Sequence, residues 1–381
     1  MTNIDYFRIV FAQFGTVMTN KSFVLYHLPN VAGFVSLSYP NGQRSGGNPS
    51  INLEGPQPIS IGNLSDAVGQ QGFLFAPFVA SSSTPILFFP GQPISHDLAE
   101  LPNSLPPAHI VQPIASPSAV RAQERELYHH TFSAVHQHVA SAHVAKIVLC
   151  RQTTLLGPSA QYALAYFHRA VALNPALFVA LIVLPNGQAW LMATPELLLH
   201  ANGEQMSTMA LAGTMKIETE AHPLWSQKNT NEHNVVADYI ANVLDPFAAN
   251  IQREGPLTIN AGVVMHLQTR FTFSSKPNIT FAHVAQALHP TPAVCGLPKA
   301  ETLNIIQSLE PAPRLYYSGF AGPISPTEQN LFVSLRCMRL MSNQATLFAG
   351  GGIMPQSVEQ EEWDETEAKL STMRQTLNVF A

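Results

Sequence analysis

The chain has few charged residues. Asp, Glu, Lys and Arg make up 11% of its 381 residues, against roughly 25% in an ordinary globular domain. The formal net charge is -5, and no block of Lys or Arg occurs. Binding to nucleic acid or to an anionic membrane surface is therefore not expected. An anionic ligand would have to be neutralised by a few local cations.

Cysteines are few, and long apolar runs are absent. Cys150, Cys295 and Cys337 are scattered and form no Cys-x-x-Cys pair, which favours reduced thiols in a cytosolic protein over a disulfide framework. The longest apolar run, Ala176 to Pro185, is far shorter than the roughly 18–20 residues that span a bilayer. Near the N-terminus stands Asp5, with no basic segment leading into an apolar one, so no signal peptide is expected. These features predict a soluble, cytoplasmic protein.

Apolar periodicity predicts a mixture of strands and helices. Strands are predicted at Phe23–Tyr26, Phe73–Phe78, Ile86–Phe89, Val144–Cys150, Leu177–Leu184, Gln188–Met192, Ala261–Phe273, Leu331–Leu340 and Thr346–Ala349. Helices are predicted at Ser118–Ala142, Trp225–Leu244 and Phe281–Leu288. Asn186-Gly187 predicts a type I′ hairpin, and the Pro-rich stretch 90–117 predicts a surface loop or linker. Together these elements favour an α+β (mixed α/β) fold built on large sheets.

The C-terminal part gathers the scarce charges around a Gly-rich turn, Phe348–Ile353. If a helix begins near Glu361, then Glu362, Glu365 and Lys369 share one face at i, i+3 and i+7. Two carboxylates beside a cation, next to glycine N–H groups that can approach a ligand, predict a site for a metal and an anion. A solvated amphipathic helix with an i,i+4 ion pair would show the same pattern.

The order of several such segments is more specific than any one of them. From about Lys146 to Lys369 the chain resembles the chorismate-utilising enzymes, which are isochorismate synthases, salicylate synthases, anthranilate synthase large subunits and aminodeoxychorismate synthases. The matching stretches are Leu211-Ala-Gly-Thr, Lys228 with Glu232-His233, Pro290-Thr-Pro-Ala-Val, Tyr317-Ser-Gly-Phe-Ala-Gly, Arg336, Ala349-Gly-Gly-Gly-Ile, and Glu362-Trp with Glu365-Thr and Lys369.

This resemblance implies one large chorismate-binding domain of the anthranilate/isochorismate synthase type. Its sheets would be large and mostly antiparallel, with helices packed outside. Residues 121–381 would form the catalytic core, and residues 1–120 a strand-rich part of the same body.

Three positions sort the reactions within the family. Isochorismate and salicylate synthases carry Lys at the position of Lys146, where ammonia-using anthranilate synthases carry an amide. Aminodeoxychorismate synthases typically carry Lys at the position of Ala212. Isochorismate synthases usually have Ala at the position of Ala293, whereas relatives that release pyruvate have Thr. All three residues point to isochorismate synthase, an isomerase that adds water at C2 of chorismate and expels the C4 hydroxyl.

The resemblance also implies a role for each site residue. Lys146 is the base, which burial would favour by lowering its pKa, and Glu196 is the acid, which needs a raised pKa. Mg²⁺ would be the cofactor, and Arg336 and Tyr316 would bind the enolpyruvyl carboxylate. The predicted metal ligands are Glu232 and Glu365, with Glu362 beside them; further predicted substrate-binding residues are Gly213, Thr214, His266, Ala293, Gly350 and Lys369. One departure is Asn229, where the family usually has an acidic residue, and this change is expected to weaken Mg²⁺ binding.

Two alternatives stay open at this point. A salicylate synthase shares Lys146 and Glu196 and goes on to eliminate pyruvate; Ala293 argues against it. A catalytically silent chorismate-binding paralogue would have no need of both an acid and a base. The implied product serves menaquinone or siderophore biosynthesis. Because water is the nucleophile, no glutamine amidotransferase subunit is expected, and the protein is expected to be a monomer or weak dimer.

Overall fold

Strands dominate the structure, a computed structural model that describes residues 22–38, 55–101, 117–141, 143–216, 224–261 and 264–378. In chain order the strands are β1 Phe23–His27, β2 Phe34–Ser38, β3 Ile59–Ile61, β4 Gly72–Ala76, β5 Ile86–Pro90, β6 Gln92–His96, β7 Lys146–Leu156, β8 Phe178–Val183, β9 Ala189–Thr194, β10 Leu197–Asn202, β11 Gln205–Lys216, β12 Ala248–Ala261, β13 Val264–Ser275, β14 Gly296–Leu297, β15 Phe320–Ile324, β16 Glu328–Val333, β17 Cys337–Leu340 and β18 Gln344–Ile353. The α-helices are α1 Pro117–Ala140, α2 Ala163–Leu173, α3 Gln227–Leu244, α4 Phe281–Leu288, α5 Lys299–Leu309 and α6 Glu359–Leu377. Short 3₁₀ turns lie at Leu64–Ala67, Leu98–Glu100 and Ala160–Tyr162. Within the described ranges, no helix combines the length and the apolar character needed to cross a membrane.

The strands form two sheets, each of nine strands within the described residues. Sheet 1 has the order β14-β7-β18-β17-β9-β8-β1-β2-β6, and sheet 2 has the order β12-β13-β11-β10-β16-β15-β4-β5-β3. The longest pairings, β7 with β18 and β11 with β13, are antiparallel. The order mixes early and late strands in both sheets, so the N-terminal strands and the later ones build the same two sheets.

The two sheets pack face to face, with helices on their outer faces. One apolar cluster joins the facing sides of both sheets and includes Phe73 and Phe332 of sheet 2 with Phe178 and Trp190 of sheet 1. A second cluster packs α3 and α4 against sheet 2. A third packs α2 and the end of α6 against sheet 1, and a fourth sets α1 and α5 against β7 and β18. This arrangement confirms the predicted α+β body of antiparallel sheets with helices outside.

Several local predictions were wrong. Residues 90–117 were predicted as a loop, but β6 occupies Gln92–His96 as the edge strand of sheet 1, where prolines are tolerated; residues 102–116 lie outside the described part. The strand predicted at Leu331–Leu340 is two strands, because Arg336 between them adopts a positive φ of 44°. The strand predicted at Ala261–Phe273 belongs instead to two strands, and Ala261 ends the first of them.

Candidate active site

A cavity that is partly open to solvent lies between the two sheets. Sheet 1 contributes Val148 of β7 and residues 348–350 and 352 of β18, and sheet 2 contributes residues 211–214 of β11 and His266 of β13. Loop residues close the remaining sides: Pro195, Glu196, Ala293, Val294, Tyr317, Leu335 and Arg336. Concave sites in which a few polar groups converge among apolar residues are typical of small-molecule binding.

Most of the predicted site residues meet at this cavity. Those that line it are Glu196, Gly213, Thr214, Glu232, His266, Ala293, Arg336, Gly350 and Lys369. Lys146 lies directly behind the wall and contacts Glu232. Glu365 lines an adjoining cavity that shares Thr214 with the first, and Glu362 is fully buried. Residues far apart in the chain thus come together as the motif order suggested.

Tyr316 is the exception and corrects the prediction. Its hydroxyl donates to the carbonyl oxygen of Pro85 at 3.0 Å, and its ring stacks on Phe75 with 4.0 Å between centroids. It belongs to the core between the sheets. The tyrosine of the cavity wall is Tyr317, which the sequence analysis placed in a matching stretch but gave no role at the site. Leu315 and Ser318, which flank the two tyrosines, both have positive φ, so strand alternation could not tell which ring faces the cavity.

Lys146 and Glu232 form a buried ion pair. The Lys146 Nζ lies 2.9 Å from Glu232 Oε1, and the two side chains are 1% and 8% exposed. Gly352 of β18 leaves the room for this pair, because a Cβ built on it would lie 2.7 Å from Lys146 Cε and even closer to the Glu232 carboxylate. Any side chain at Gly352 would therefore push the pair apart.

Glu196 is a buried carboxyl group, 3% exposed. It makes no ion pair within 4.0 Å to any described residue. Burial raises the pKa of Glu196 to about 8, and the more distant charges of Lys146, Lys369 and Arg336 only partly oppose this. At neutral pH the group is therefore mostly protonated and can donate a proton into the cavity.

Arg336 is held by a neutral histidine. Burial, with the positive charges of Arg336 and Lys369, lowers the pKa of His266 to about 3, so its ring carries one proton at neutral pH. Its Nδ1 lies 3.0 Å from the carbonyl oxygen of Gly213, and its Nε2 lies 2.8 Å from Arg336 Nη2. A guanidinium cannot accept a hydrogen bond, and a carbonyl cannot donate one. His266 must therefore donate from Nδ1 to Gly213 and accept at Nε2 from Arg336.

Helix α6 presents two carboxylates, each with a lysine. Glu362 Oε1 lies 2.5 Å from Lys228 Nζ, and Glu365 Oε1 lies 2.6 Å from Lys369 Nζ. Lys369 also donates to the carbonyl oxygen of Gly350 at 2.8 Å. Burial and the charge of Glu365 raise the pKa of Glu362 to about 7. Burial alone would also raise the pKa of Glu365, but the attraction of Lys369 and Lys228 outweighs it and the pKa is lowered.

The predicted metal ligands fit a divalent cation in part. Among the described residues, no three His, Cys, Asp or Glu side chains stand as a ready-made metal cluster, and Glu232, Glu362 and Glu365 are each paired with a lysine. The second oxygen of Glu362, Oε2, is nevertheless buried with no hydrogen-bond partner. A buried carboxylate is costly when one oxygen has no hydrogen-bond partner and when a second carboxylate, Glu365, repels it. A hard cation that binds oxygen ligands would pair that oxygen and would also offset the repulsion.

Comparison with known proteins identifies the family. A family described as "Chorismate binding enzyme" matches residues 94–378. Because this match covers well over half of the chain, the chain belongs to the chorismate-binding enzymes, as the motifs predicted.

Relatives and solved structures agree with this assignment. Isochorismate synthase EntC of Escherichia coli (strain K12) is 34% identical over 251 residues, which cover 63% of this chain and 63% of EntC. The match therefore spans less than two thirds of that relative. The vibriobactin-specific isochorismate synthase of Vibrio cholerae is 29% identical over 283 residues, 70% of each chain. The structure of MenF, the menaquinone-specific isochorismate synthase of Escherichia coli, has a TM-score of 0.75 at 18% identity and covers 96% of this chain and 91% of MenF; this likeness establishes the fold.

Proposed function

We propose that the protein is an isochorismate synthase, an isomerase that converts chorismate into isochorismate. Water would add at C2 of the ring, and the C4 hydroxyl would leave. The observation that carries this proposal is the protonated Glu196 in a cavity that also holds Arg336 and adjoins the Lys146–Glu232 pair. The curated relatives at 34% and 29% identity are themselves named isochorismate synthases.

Glu196 would be the general acid. Expulsion of a hydroxyl group from C4 needs a proton donor, because hydroxide is a poor leaving group. A carboxyl group with a pKa of about 8 still carries its proton at neutral pH and can transfer it as the C–O bond breaks.

Lys146 would be the general base that activates the attacking water. Its Nζ lies 2.9 Å from Glu232 Oε1. The ammonium must first lose a proton; the neutral amine can then keep one N–H directed at Glu232 while its lone pair accepts the proton of the attacking water. Glu232 lines the cavity, whereas Lys146 lies just behind it. A small shift of the flexible lysine side chain past Gly352 would bring the amine to a water at the cavity wall.

The substrate is a dicarboxylate, and the site supplies cations for it. The Arg336 guanidinium, whose pKa burial lowers only to about 10, stays charged at neutral pH and can bind one carboxylate bidentately. Lys369 lines the same cavity. We further propose that Glu232, Glu362 and Glu365 hold Mg²⁺. When bound, the ion supplies positive charge to the second carboxylate of the substrate.

Ala293 would decide the fate of the product. It lines the cavity beside Val294. A small methyl side chain leaves room for the enolpyruvyl arm, so isochorismate can depart without loss of pyruvate. The salicylate synthase reaction would require that arm to be held against the C2–H bond.

The test is to incubate the purified protein with chorismate and Mg²⁺ and to assay two products separately. An isochorismatase-coupled assay measures isochorismate, and a lactate-dehydrogenase-coupled assay measures pyruvate. Isochorismate with little pyruvate is the expected result. Stoichiometric pyruvate would replace the proposal with a salicylate synthase. Formation of neither product would indicate a silent chorismate-binding paralogue.

A further inference from the structure

Asn229 ties the first turn of α3 to the cavity wall. Ser226 caps the helix, and its Oγ accepts the backbone N–H of Asn229 at 3.2 Å. The Asn229 side chain does not fold back onto the cap. Instead its Nδ2 donates to the carbonyl oxygen of Thr214 in β11 at 3.2 Å. A carboxylate at this position could not make that bond, because it has no proton to donate at neutral pH.

The strand that receives this bond is irregular. The pairing of β11 with β13 shifts register between Ala212 and Thr214, and Gly213 within this bulge has a φ of +75°. A Cβ on Gly213 would lie 3.0 Å from the carbonyl oxygen of Asn229. The helix turn and the bulge are therefore in direct contact, with no space for a side chain between them.

A chain of hydrogen bonds leads from this bulge to Arg336, the cation that would bind a carboxylate of the substrate. Next to the carbonyl of Thr214 is that of Gly213, which accepts from His266 Nδ1. His266 in turn accepts from Arg336 Nη2. Because Thr214 and Gly213 are consecutive, a shift of one carbonyl moves the other and turns the imidazole ring on which the guanidinium rests.

We propose that Asn229 is a positioning residue for the substrate carboxylate. It fixes the Gly213–Thr214 bulge and, through His266, the orientation of Arg336. The proposal rests on the proposed function in that the ligand is chorismate. It also gives the departure at Asn229 a positive role: the chain has a hydrogen bond to the cavity wall where the family usually has a negative charge.

Charge and hydrogen bonding can be separated here by substitution. Asn229 lines the adjoining cavity with Lys228, Glu361, Asp364 and Glu365, so Asn229→Asp adds a carboxylate to an acidic surrounding and removes the donor. Asn229→Ala removes the donor alone. Asn231→Asp is the matched control, because Asn231 is two residues further along α3 and its Oδ1 accepts from Gln227 at 2.8 Å instead of touching β11.

The experiment compares these three variants with the wild type at saturating Mg²⁺. Loss of the Asn229–Thr214 hydrogen bond would misplace Arg336 for ground state and transition state alike, so KM for chorismate should rise about 3- to 10-fold, with kcat within about twofold. Asn229→Ala and Asn229→Asp should show this change, and Asn231→Asp should not. The thermal midpoint should be the same in all four proteins.

A second readout needs no turnover. Hydrogen–deuterium exchange in peptides that span residues 211–216, measured without chorismate, should be faster in both Asn229 variants and unchanged in Asn231→Asp. Wild-type KM together with wild-type exchange in Asn229→Ala would overturn the proposal, as would an equal rise of KM in Asn231→Asp. If the wild type forms no isochorismate, the proposed function fails, while the exchange experiment still decides whether Asn229 holds the bulge.

Discussion

Glu196 and Glu365 illustrate how residue-scale surroundings assign different tasks to the same side chain. Both are buried, and burial raises the pKa of each. Glu365 has the Lys369 ammonium at 2.6 Å, which lowers its pKa below the ordinary value. Glu196 has only distant cations and keeps a pKa of about 8. One carboxyl group is thus a proton donor, and the other is an anion suited to bind a cation.

The raised pKa of Glu196 predicts the pH dependence of catalysis. The acid is active when protonated, so loss of its proton should make kcat/KM fall about tenfold per pH unit above about pH 8. Steady-state rates between pH 6 and pH 10 measure this limb. Glu196→Gln should lose about 10²- to 10⁴-fold in kcat and also lose the limb, while still binding chorismate. If the residual activity of Glu196→Gln still fell above about pH 8 in the same way, another group would be responsible for the pH dependence.

Ala293 makes a second residue-scale prediction. Ala293→Thr adds a hydroxyl group to a wall residue of the cavity. It should lower isochorismate formation and raise the ratio of pyruvate to isochorismate, because the larger side chain restrains the enolpyruvyl arm. The two coupled assays measure this ratio. Ala293→Ser is the control that adds the hydroxyl group without the extra methyl; a wild-type ratio in both variants would remove Ala293 from the control of product.

At the scale of elements, β18 allows the Lys146–Glu232 pair to form. Gly352→Ala would place a methyl group 2.7 Å from Lys146 Cε, and the pair must separate or the strand must move. We expect kcat to fall at least about tenfold, because a misplaced base loses much of the 10²- to 10⁴-fold that proton transfer contributes.

Gly351→Ala is the neighbouring control in the same strand. Its Cβ would lie 3.4 Å from the nearest atom, Glu362 Oε2, an ordinary contact, so its kcat should fall much less. Equal losses in both variants would mean that β18 tolerates no side chain here for reasons other than the ion pair. Circular dichroism and the thermal midpoint would show whether either variant unfolds.

Elements with a clear apolar period could be predicted from the sequence, and others could not. Helix α4 was predicted with its observed bounds, Phe281–Leu288, because its apolar residues recur at helical spacing. Helix α2 was not predicted, since all of its residues except Tyr166, His168 and Arg169 are apolar, and periodicity alone does not tell a short apolar helix from a strand. Strand β12 was also missed: its residues 250–258 are exposed, so no alternation marks it.

The residues that gather at the cavity were named from the family resemblance, because the order of the motifs from Lys146 to Lys369 is specific where no single segment is. Their roles stay predictions. Their distances were not predictable. The pairing of Lys146 with Glu232, and the choice of Tyr317 over Tyr316, depend on how the two sheets and their turns face each other.

At the scale of the whole molecule, the candidate site lies between the two sheets and is closed by α6 and by the first two turns of α3. Glu365 and Lys369 come from α6, Glu232 and Lys228 from α3, and the cavity walls from β7, β11, β13 and β18. A ligand that contacts all of these parts must stabilise their mutual packing, because it binds the folded chain and not the unfolded one.

Mg²⁺ should therefore raise the thermal stability of the protein. At a concentration 100 times its Kd, the ion would add about 2.7 kcal/mol to the free energy of unfolding, which scanning calorimetry or a dye-based melt measures as a higher Tm. Excess chelator should remove both this shift and the formation of isochorismate.

Glu365→Gln should keep the Tm of the metal-free wild type to within a few degrees, because it removes one partner of a single ion pair, but should lose the Mg²⁺-dependent rise. Asp364→Asn is the matched control: it removes a neighbouring charge of α6 that lines only the adjoining cavity and should keep most of the rise. Full turnover in excess chelator, or a Mg²⁺-dependent Tm that survives in Glu365→Gln, would contradict the assignment of the metal to this carboxylate.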